Sequence, residues 1–159
     1  MLVEELMSFS PATCRADDPM DRAAQIFWEQ DCGCVPVVDD EAHVVGIITD
    51  RDVCMAAYTR GLRLCEMTVR SAMATAVHTC HSTDSIEHAE RIMRHNRVRR
   101  LPVVDDRNQL VGILSLHDIA QKAARERHHR HASVTDAEVA ETLSAVTARR
   151  HHEGVLASF

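Results

Sequence analysis

The sequence predicts an α/β fold in which two β-α-β-β-α units pack together, followed by a helical C-terminal tail. The first observation is an internal repeat, because residues 7–57 align without a gap with residues 73–123, 66 positions later. The second is that each copy contains an amphipathic helical stretch followed by two short apolar runs around a polar turn. A unit of this length rarely buries its apolar face alone, so the copies are expected to share a core.

Local signals predict the elements of the first copy. Asp18-Pro19 is typical of a helix start, with an N-cap followed by proline at the first helical position. Met20, Ala23 and Ile26 recur at helical spacing, which predicts one buried face. We expect an extended segment at 11–14, a helix from 18 to about 30, strands at 35–38 and 44–48, and a helix from 49 to about 58.

The second copy repeats this order and sets the predicted domain organisation. Between the copies, Leu62, Leu64 and Met67 make the connection too apolar for a free linker, so we expect a helical turn packed on the core. The second copy is predicted to be extended at 77–80, helical from 85 to about 95, extended at 101–104 and 110–114, and helical from 116. The predicted divisions are 1–58 for the first motif, 59–72 for the connection, 73–124 for the second motif and 125–159 for the tail.

The C-terminal tail lies outside the repeat. His128-His129-Arg130-His131 and His151-His152 could bind a transition metal or a polyanion, although surface histidines and arginines without a fixed partner are usually solvated. Thr135 and Glu138 match a capping box, which predicts a last helix. Its narrow apolar stripe would consist of Val139, Leu143 and Val146.

Charge and hydropathy exclude several classes of partner. The 159 residues carry a formal net charge of −6, from 18 basic and 24 acidic residues, so no global electrostatic argument favours nucleic acid or an anionic membrane. No apolar run approaches the roughly 18 residues that would span a bilayer, and the N-terminus lacks a basic region followed by an apolar stretch. We therefore expect a soluble, cytoplasmic protein.

The six cysteines are expected to be reduced thiols, because no signal peptide directs the chain to an oxidising compartment. Cys32-Gly33-Cys34 is the one close pair. It lacks the two-residue spacer and the second pair that make a zinc site persuasive. Small buried thiols are the simpler interpretation, and a metal or redox role stays an alternative.

One stretch ends the second hairpin strand of each copy and begins the next helix. Residues 46–52 read Gly-Ile-Ile-Thr-Asp-Arg-Asp, and residues 112–118 read Gly-Ile-Leu-Ser-Leu-His-Asp. The preceding hairpins contain Val-Pro-Val-Val-Asp-Asp at 35–40 and Leu-Pro-Val-Val-Asp-Asp at 101–106. With these motifs in register, residues 1 to about 124 resemble a tandem pair of cystathionine β-synthase (CBS) domains, here without an attached catalytic domain.

The resemblance implies a fold and a function. The fold is a Bateman module, in which two motifs pack through their sheets about a pseudo-twofold axis. Its two clefts bind adenosine compounds in this family, the motif aspartate holding the ribose hydroxyls and the Thr or Ser contacting phosphate. Pairs of such modules commonly form disc-shaped homodimers, so we expect a homodimer, with an interface that includes the segments around Ile26, Phe27, Ile92 and Met93.

The chemistry of the repeated stretch agrees with this role. Thr49 and Ser115 lie where a strand ends and a helix begins, so free backbone N–H groups and the positive end of the helix dipole favour an anion. Asp52 and Asp118 would repel phosphate but can accept hydrogen bonds from a ribose diol. The same spacing also suits plain helix capping, and the two roles are compatible.

The two clefts are not expected to be equivalent. Arg99 or Arg100 is a candidate phosphate ligand, since arginine's forked donors suit a phosphate, whereas the first copy has Gly33-Cys34 there. The first cleft is thus expected to be weaker, empty or dependent on basic groups from the other copy. The predicted ligand-binding residues are Thr13, Val35, Pro36, Thr49, Arg51 and Asp52 in one half, and Thr79, Arg99, Arg100, Leu101, Pro102, Ser115, His117 and Asp118 in the other.

The leading functional hypothesis is a non-catalytic regulatory module. It would bind AMP, ADP, ATP or a related adenosyl ligand and signal through its conformation or oligomeric state, to itself or to an unidentified protein partner in trans. No Gly-Lys-Ser/Thr phosphate loop and no nucleophile-elbow sequence is present, which argues against an enzyme. Two alternatives stay open: a thiol or metal sensor using Cys32, Cys34 and the tail histidines, and a small nucleotide-processing enzyme acting through Asp52 or Asp118.

Overall fold

The computed structural model describes residues 1–126 and 133–148. It contains the two predicted units. The other elements follow the predicted order with bounds that differ by a few residues, but the extended segment predicted at 11–14 forms only a single bridge at Cys14, and the strand Ser8–Phe9 was not predicted. The elements are β1 (Ser8–Phe9), α1 (Met20–Glu29), β2 (Cys34–Val38), β3 (Val44–Thr49), α2 (Asp50–Arg60), β4 (Cys80–His81), α3 (Ile86–Asn96), β5 (Arg100–Val104), β6 (Leu110–Ser115), α4 (Leu116–Glu126) and α5 (Asp136–Thr147).

Each unit is built on an antiparallel hairpin. In the first unit β2 pairs with β3, and in the second β5 pairs with β6 in the same register. Short pairings widen each hairpin on both sides. In the second unit they are β1 and β4, which give the sheet order β1-β6-β5-β4, whereas in the first unit single bridges at Cys14 and Ala74 take these places.

The first residues of the chain pack on the second unit. The Val3 N–H donates to the Asp84 carbonyl at 2.9 Å, and β1 pairs with β6. Val3 and Met7 are buried in the core of the second unit, together with residues of α3 and α4. The N-terminal segment, although it precedes the first copy, therefore completes the second one.

The connection between the copies completes the first unit in the same way. It forms 3-10 turns at Leu64–Glu66 and Val69–Ser71, which confirms the predicted helical turn. Met67 and Val69 are buried in the core of the first unit, and the Met67 carbonyl accepts a hydrogen bond from the Met20 N–H at 2.8 Å. The domain boundaries predicted at 58/59 and 72/73 stay a proposal, because the core of each unit contains residues from both sides of a predicted boundary.

Two glycines allow these segments to approach the hairpins. A Cβ on Gly112 would lie 2.5 Å from Met7 Sδ and 2.9 Å from the Ser8 carbonyl oxygen. A Cβ on Gly46, the matched position, would lie 2.7 Å from Met73 Sδ and 3.2 Å from the Ala74 carbonyl oxygen. Both distances to sulfur are shorter than a van der Waals contact, so a larger residue must displace the methionine side chain, and at Gly112 the Ser8 backbone as well.

The two units are related by a pseudo-twofold axis. Residues His43 and Gln109, which are equivalent under the offset of 66, form an antiparallel bridge with each other. A residue can contact its own equivalent only where a twofold axis passes between them. The hairpin turns therefore meet at this axis, as the repeat predicts.

The predicted dimer interface stays a prediction, but burial limits which side chains of its segments a partner could contact. Ile26 and Met93 are 3% and 0% exposed and belong to the cores of their own units. Phe27 and Ile92 are only partly buried. The exposed large hydrophobic residue on this part of α1 is Trp28, at 89%.

The predicted last helix is present as α5, and it packs on α3 and α4 of the second unit. Thr135 and Glu138 form the predicted capping box. The buried face differs from the predicted stripe, since Thr142 is fully buried while Leu143 is half exposed. The Arg and His clusters at 128–131 and 151–152 lie outside the described residues.

Among the described helices, none is long and apolar enough to cross a membrane.

A buried polar cluster attaches α5 to α3. The Thr142 hydroxyl donates to Glu90 Oε1 at 3.1 Å and accepts from Arg94 Nη1 at 2.9 Å. Glu90 is 2% exposed, and its burial raises the pKa of the carboxyl above the ordinary value. The hydrogen bond from Thr142 and the charge of Arg94 oppose this rise, whereas Glu138 and Glu141 on α5 add to it. The net effect favours the protonated carboxyl at this buried position.

Replacing Gly112 by alanine should displace β1 from the second sheet. We expect a loss of about 1–3 kcal/mol in the free energy of unfolding, measured by urea denaturation, because the added methyl meets the Ser8 backbone. Gly46→Ala is the matched control, and it should cost less because the flexible Met73 side chain can move. Equal, negligible losses would show that the close approach is unimportant.

Glu90→Gln should flatten the pH dependence of stability. Because the pKa of Glu90 is raised in the folded protein, its stabilising contribution is present in acid and is lost as the pH rises through that raised pKa. Glutamine keeps the acceptor for Thr142 but does not ionise, so the variant should lose less stability than the wild type between mildly acidic and neutral pH. Urea unfolding at several pH values measures this, with Glu87→Gln on exposed α3 surface as the control. Parallel curves for wild type and Glu90→Gln would contradict it.

Candidate functional site

The hydroxyl and the carboxylate of each repeated motif bond to one another at the start of a helix. The Ser115 hydroxyl and the Ser115 N–H donate to Asp118 Oδ2 at 2.6 and 2.9 Å, and the Asp118 N–H donates back to Ser115 Oγ at 3.2 Å. Thr49 and Asp52 repeat the three bonds at the same distances. The motif is therefore a closed capping box, as the alternative interpretation predicts.

The capping box restricts which atoms of Ser115 and Asp118 can bind a ligand. The hydroxyl proton of Ser115 is already donated to Asp118, so a phosphate has to take its hydrogen bonds from another donor. Asp118 Oδ1 accepts no hydrogen bond from the residues that the structure describes, and it can accept from ligand hydroxyls. Capping and ligand binding thus use different atoms of the same carboxylate.

The two helix starts differ at their first residue. At α2 this residue is Asp50, whose Oδ1 accepts from the Arg51 N–H at 2.7 Å. At α4 it is Leu116, and in the described part of the chain the following His117 N–H has no acceptor. An internal carboxylate therefore occupies the anion position at α2, whereas the same position at α4 is open.

A cleft of about 480 Å³ lies beside the second motif. Four separate parts of the chain form it, two of them from the N-terminal half. Its lining residues are Ser8, Phe9, Ser10, Pro11 and Ala12 from β1 and beyond, Gln30, Asp31, Cys32, Gly33 and Cys34 from the first unit, Arg100 from β5, and Ile113, Ser115, His117 and Asp118 from β6 and α4.

The Arg100 side chain crosses from the second unit to the first. Its Nη2 lies 3.1 Å from where a Cβ of Gly33 would be, so the absence of a side chain at Gly33 gives the guanidinium its space. Arg99 is exposed and lines an adjoining apolar groove of about 250 Å³ instead. This groove continues from the cleft, because Arg100, Ser115 and His117 line both.

The structure brings together only some of the predicted ligand residues. Arg100, Ser115, His117 and Asp118 converge on the cleft at α4. Sequence reasoning missed its other walls at 8–12 and 30–31, which nothing in the repeat marks as neighbours of Asp118. The predicted first-half residues Thr49, Arg51 and Asp52 lie together at the start of α2, away from this cleft.

The predicted residues of the strands do not line this cleft. Val35 and Leu101 are fully buried in the two cores, so any contact with a ligand would fall to their backbone. Pro36 and Pro102 are also buried. Two further predicted residues are partly buried: Thr79 lines a separate cavity of about 180 Å³ between the units, and Thr13 follows the cleft wall at Ala12.

The cysteines at the cleft are poor candidates for a thiol switch. Cys32 and Cys34 line the cleft, but burial raises the pKa of the Cys34 thiol to about 11 and also raises that of Cys32. Arg100 opposes the rise in both cases without cancelling it. The reactive thiolate is therefore scarce at neutral pH.

One three-residue group in the described chain has the spacing of a metal site, namely Asp39, Glu41 and His43. Asp39 Oδ1 already accepts from the N–H groups of Glu41 and His43, which closes a turn. Asp105 makes the same two bonds in the second unit without a histidine. The group is therefore explained by turn geometry alone.

Comparison with protein-family models identifies the repeat. The model of the CBS domain matches residues 3–58 and again 69–125. Among curated proteins, the CBS domain-containing protein YhcV of Bacillus subtilis is 32% identical over 118 residues, which cover 74% of this chain and 82% of YhcV. Inosine-5'-monophosphate dehydrogenase of Methanocaldococcus jannaschii is 33% identical over 135 residues, but these cover 82% of this chain and only 25% of the enzyme.

Solved structures agree with this assignment. The CBS domain pair of protein MJ0100, in complex with 5'-methylthioadenosine and S-adenosyl-L-methionine, superposes with a TM-score of 0.69 at 29% identity. The match covers 76% of this chain and 94% of the other. The repeated hairpins, the twofold relation of the units and the two family matches together show that this chain belongs to the CBS domain family, as a tandem pair of CBS domains.

Proposed function

We propose that this protein is a non-catalytic sensor that binds an adenosine compound in the cleft at Asp118. The observation that carries the proposal is the convergence, in one cleft, of a carboxylate oxygen of Asp118, the free His117 N–H in the first turn of α4 and the Arg100 guanidinium. These groups suit a ribose diol and a negatively charged substituent on its 5' side. The complex of the related MJ0100 domain pair with two adenosyl ligands supports the class of ligand.

The proposed pose follows from the chemistry of the walls. The ribose hydroxyls donate to Asp118 Oδ1, since Oδ2 already accepts the two Ser115 hydrogens. A phosphate lies at the His117 N–H and the Arg100 guanidinium, which supply a helix N-terminal amide and a positive charge. The adenine lies against Ile113 and the segment that follows β1, which supplies the apolar wall.

The cleft at the first motif is proposed to be the weaker one. The Asp50 carboxylate already occupies the Arg51 N–H, and its charge would repel a phosphate there. The second unit has Leu116 at the matched position. Of the two motifs, only the one at α4 therefore combines the ribose acceptor with an open anion position.

The output of the sensor is proposed to be a change in conformation or assembly, acting on a homodimer or on a protein partner in trans. AMP or ATP is the proposed ligand, with S-adenosyl compounds as the next candidates. All six cysteines are free thiols, which fits a cytoplasmic location. The chain spans a quarter of the related dehydrogenase, so that enzyme's activity gives no reason to propose catalysis here.

Calorimetric titration of the full chain with AMP, ADP, ATP, S-adenosylmethionine and NAD tests the proposal. At least one should bind, and Asp118→Asn should weaken it by about 1.5–3 kcal/mol, or roughly ten- to hundredfold. Asparagine keeps one oxygen for the Ser115 bonds but replaces Oδ1 by a donor, so the variant separates ligand binding from capping.

Asp52→Asn is the matched control, because it makes the same change in the first motif. It should leave the affinity of the main site nearly unchanged. Thermal unfolding should show that both variants remain folded. The absence of binding by every compound below millimolar concentration, or equal losses in the two variants, would refute the proposed site.

A further inference from the structure

The apolar groove of about 250 Å³ that adjoins the cleft at Asp118 is formed partly by α5, a helix outside the repeat. Val139 and Leu143, one turn apart on α5, form one wall. Leu116 and Ala120, one turn apart on α4, form the other. Leu143 is nevertheless 49% exposed, so the groove presents apolar surface to water. A further apolar group could remove this surface from water.

The groove adjoins the proposed phosphate position. Arg100, Ser115 and His117 line both the cleft and the groove, so the two spaces join at these residues. Arg100 and the His117 N–H are also the groups proposed to hold the phosphate. A substituent that leaves the phosphate on the side away from the ribose therefore enters the groove.

The matched region of the first unit is acidic instead. The position that matches Leu116 is Asp50, which lines a groove of about 350 Å³ beside Trp28. Asp31 lines this groove too, so it carries two carboxylates, which would repel a phosphate. A phosphate with an apolar substituent is therefore suited to the second unit, where Leu116 supplies apolar surface and no competing charge.

We propose that the cleft and the groove together bind an adenosine 5'-phosphate whose phosphate carries an apolar chain, the chemical class of the acyl adenylates and of the alkyl esters of AMP. The ribose and the phosphate keep the positions given above, and the chain lies in the groove between α4 and α5. This inference rests on the proposed function, to which it adds the class of the ligand.

The ribose site restricts the class further, to compounds with a free diol. Asp118 Oδ1 is the proposed acceptor for the ribose hydroxyls. A phosphate on the 3' oxygen, as in coenzyme A thioesters, would remove one donor and bring a second negative charge to this carboxylate. Coenzyme A thioesters are therefore disfavoured, although the apolar chain on their 5' side would suit the groove.

Calorimetric titration of the full chain with two probes of equal charge, the methyl ester and the n-hexyl ester of AMP, tests the inference. The probes differ only in the length of the alkyl chain. Burial of part of the longer chain should make the hexyl ester bind about tenfold more tightly than the methyl ester. Asp118→Asn should weaken both esters by the same factor, because both use the same ribose site.

Leu143→Gln should bring the ratio of the two affinities close to one, since it replaces apolar surface in the groove by a polar side chain of similar size. Ala120→Leu should have the same effect by filling the groove. Met55→Gln is the matched control, since Met55 is 46% exposed on α2 and lines neither the cleft nor the groove. It should keep the full advantage of the hexyl ester.

Two esters that bind equally well, or a hexyl advantage that survives both groove variants, would overturn the inference and leave the proposed function intact. Hexyl binding that is insensitive to Asp118→Asn would mean that the chain binds another apolar surface, which also refutes it. An advantage that declines as the protein concentration rises would show that a second copy covers the groove instead. If neither AMP nor its esters bind, the proposed function fails as well. Tighter binding of hexanoyl-coenzyme A than of the hexyl ester would contradict the free diol.

Discussion

The structure depends on the close approach of two chain segments to two glycines. Met7 and Ser8 pass over Gly112, and Met73 and Ala74 pass over Gly46, at distances that leave no room for a side chain. Each segment begins one copy of the repeat but packs on the core of the other unit, so each core is completed by residues of the other copy. The same crossing brings the residues after β1 to Asp118, where they form one wall of the cleft.

At the cleft, the capping box uses one oxygen of the motif aspartate, and the other oxygen remains available to a ligand. In both motifs the hydroxyl and the aspartate Oδ2 cap the helix. In both, Oδ1 takes no part in the capping box. The two sites diverge only in what surrounds this arrangement. Asp50 supplies an internal anion in the first unit, whereas Leu116 leaves the amide of the next residue open in the second. Together with the Arg100 guanidinium, this open amide makes the second motif the one that is suited to a charged ligand.

The tail changes the surface of the protein more than its core. α5 covers α3 and α4 of the second unit, whereas Trp28 and Tyr58 on the matching helices α1 and α2 of the first unit are exposed. The groove beside Trp28 and the cleft at Asp118 share the turn formed by Asp31, Cys32 and Gly33. Asp31 has a positive φ of 47°, which is uncommon for a residue other than glycine. A ligand in the cleft would therefore contact residues that also line the groove beside Trp28.

The sequence by itself determined the two units, the order of their elements and the capping box, because periodicity, turn residues and local hydrogen bonds act over a few residues. The capping residues Ser115 and Asp118 could therefore be predicted from the sequence. Tertiary structure decided the rest. That residues 8–12 and 30–34 form the cleft follows from packing between segments far apart in the chain, which no local pattern encodes. Which helices α5 covers was likewise decided by tertiary packing, since helical spacing alone does not say which neighbours a helix packs on.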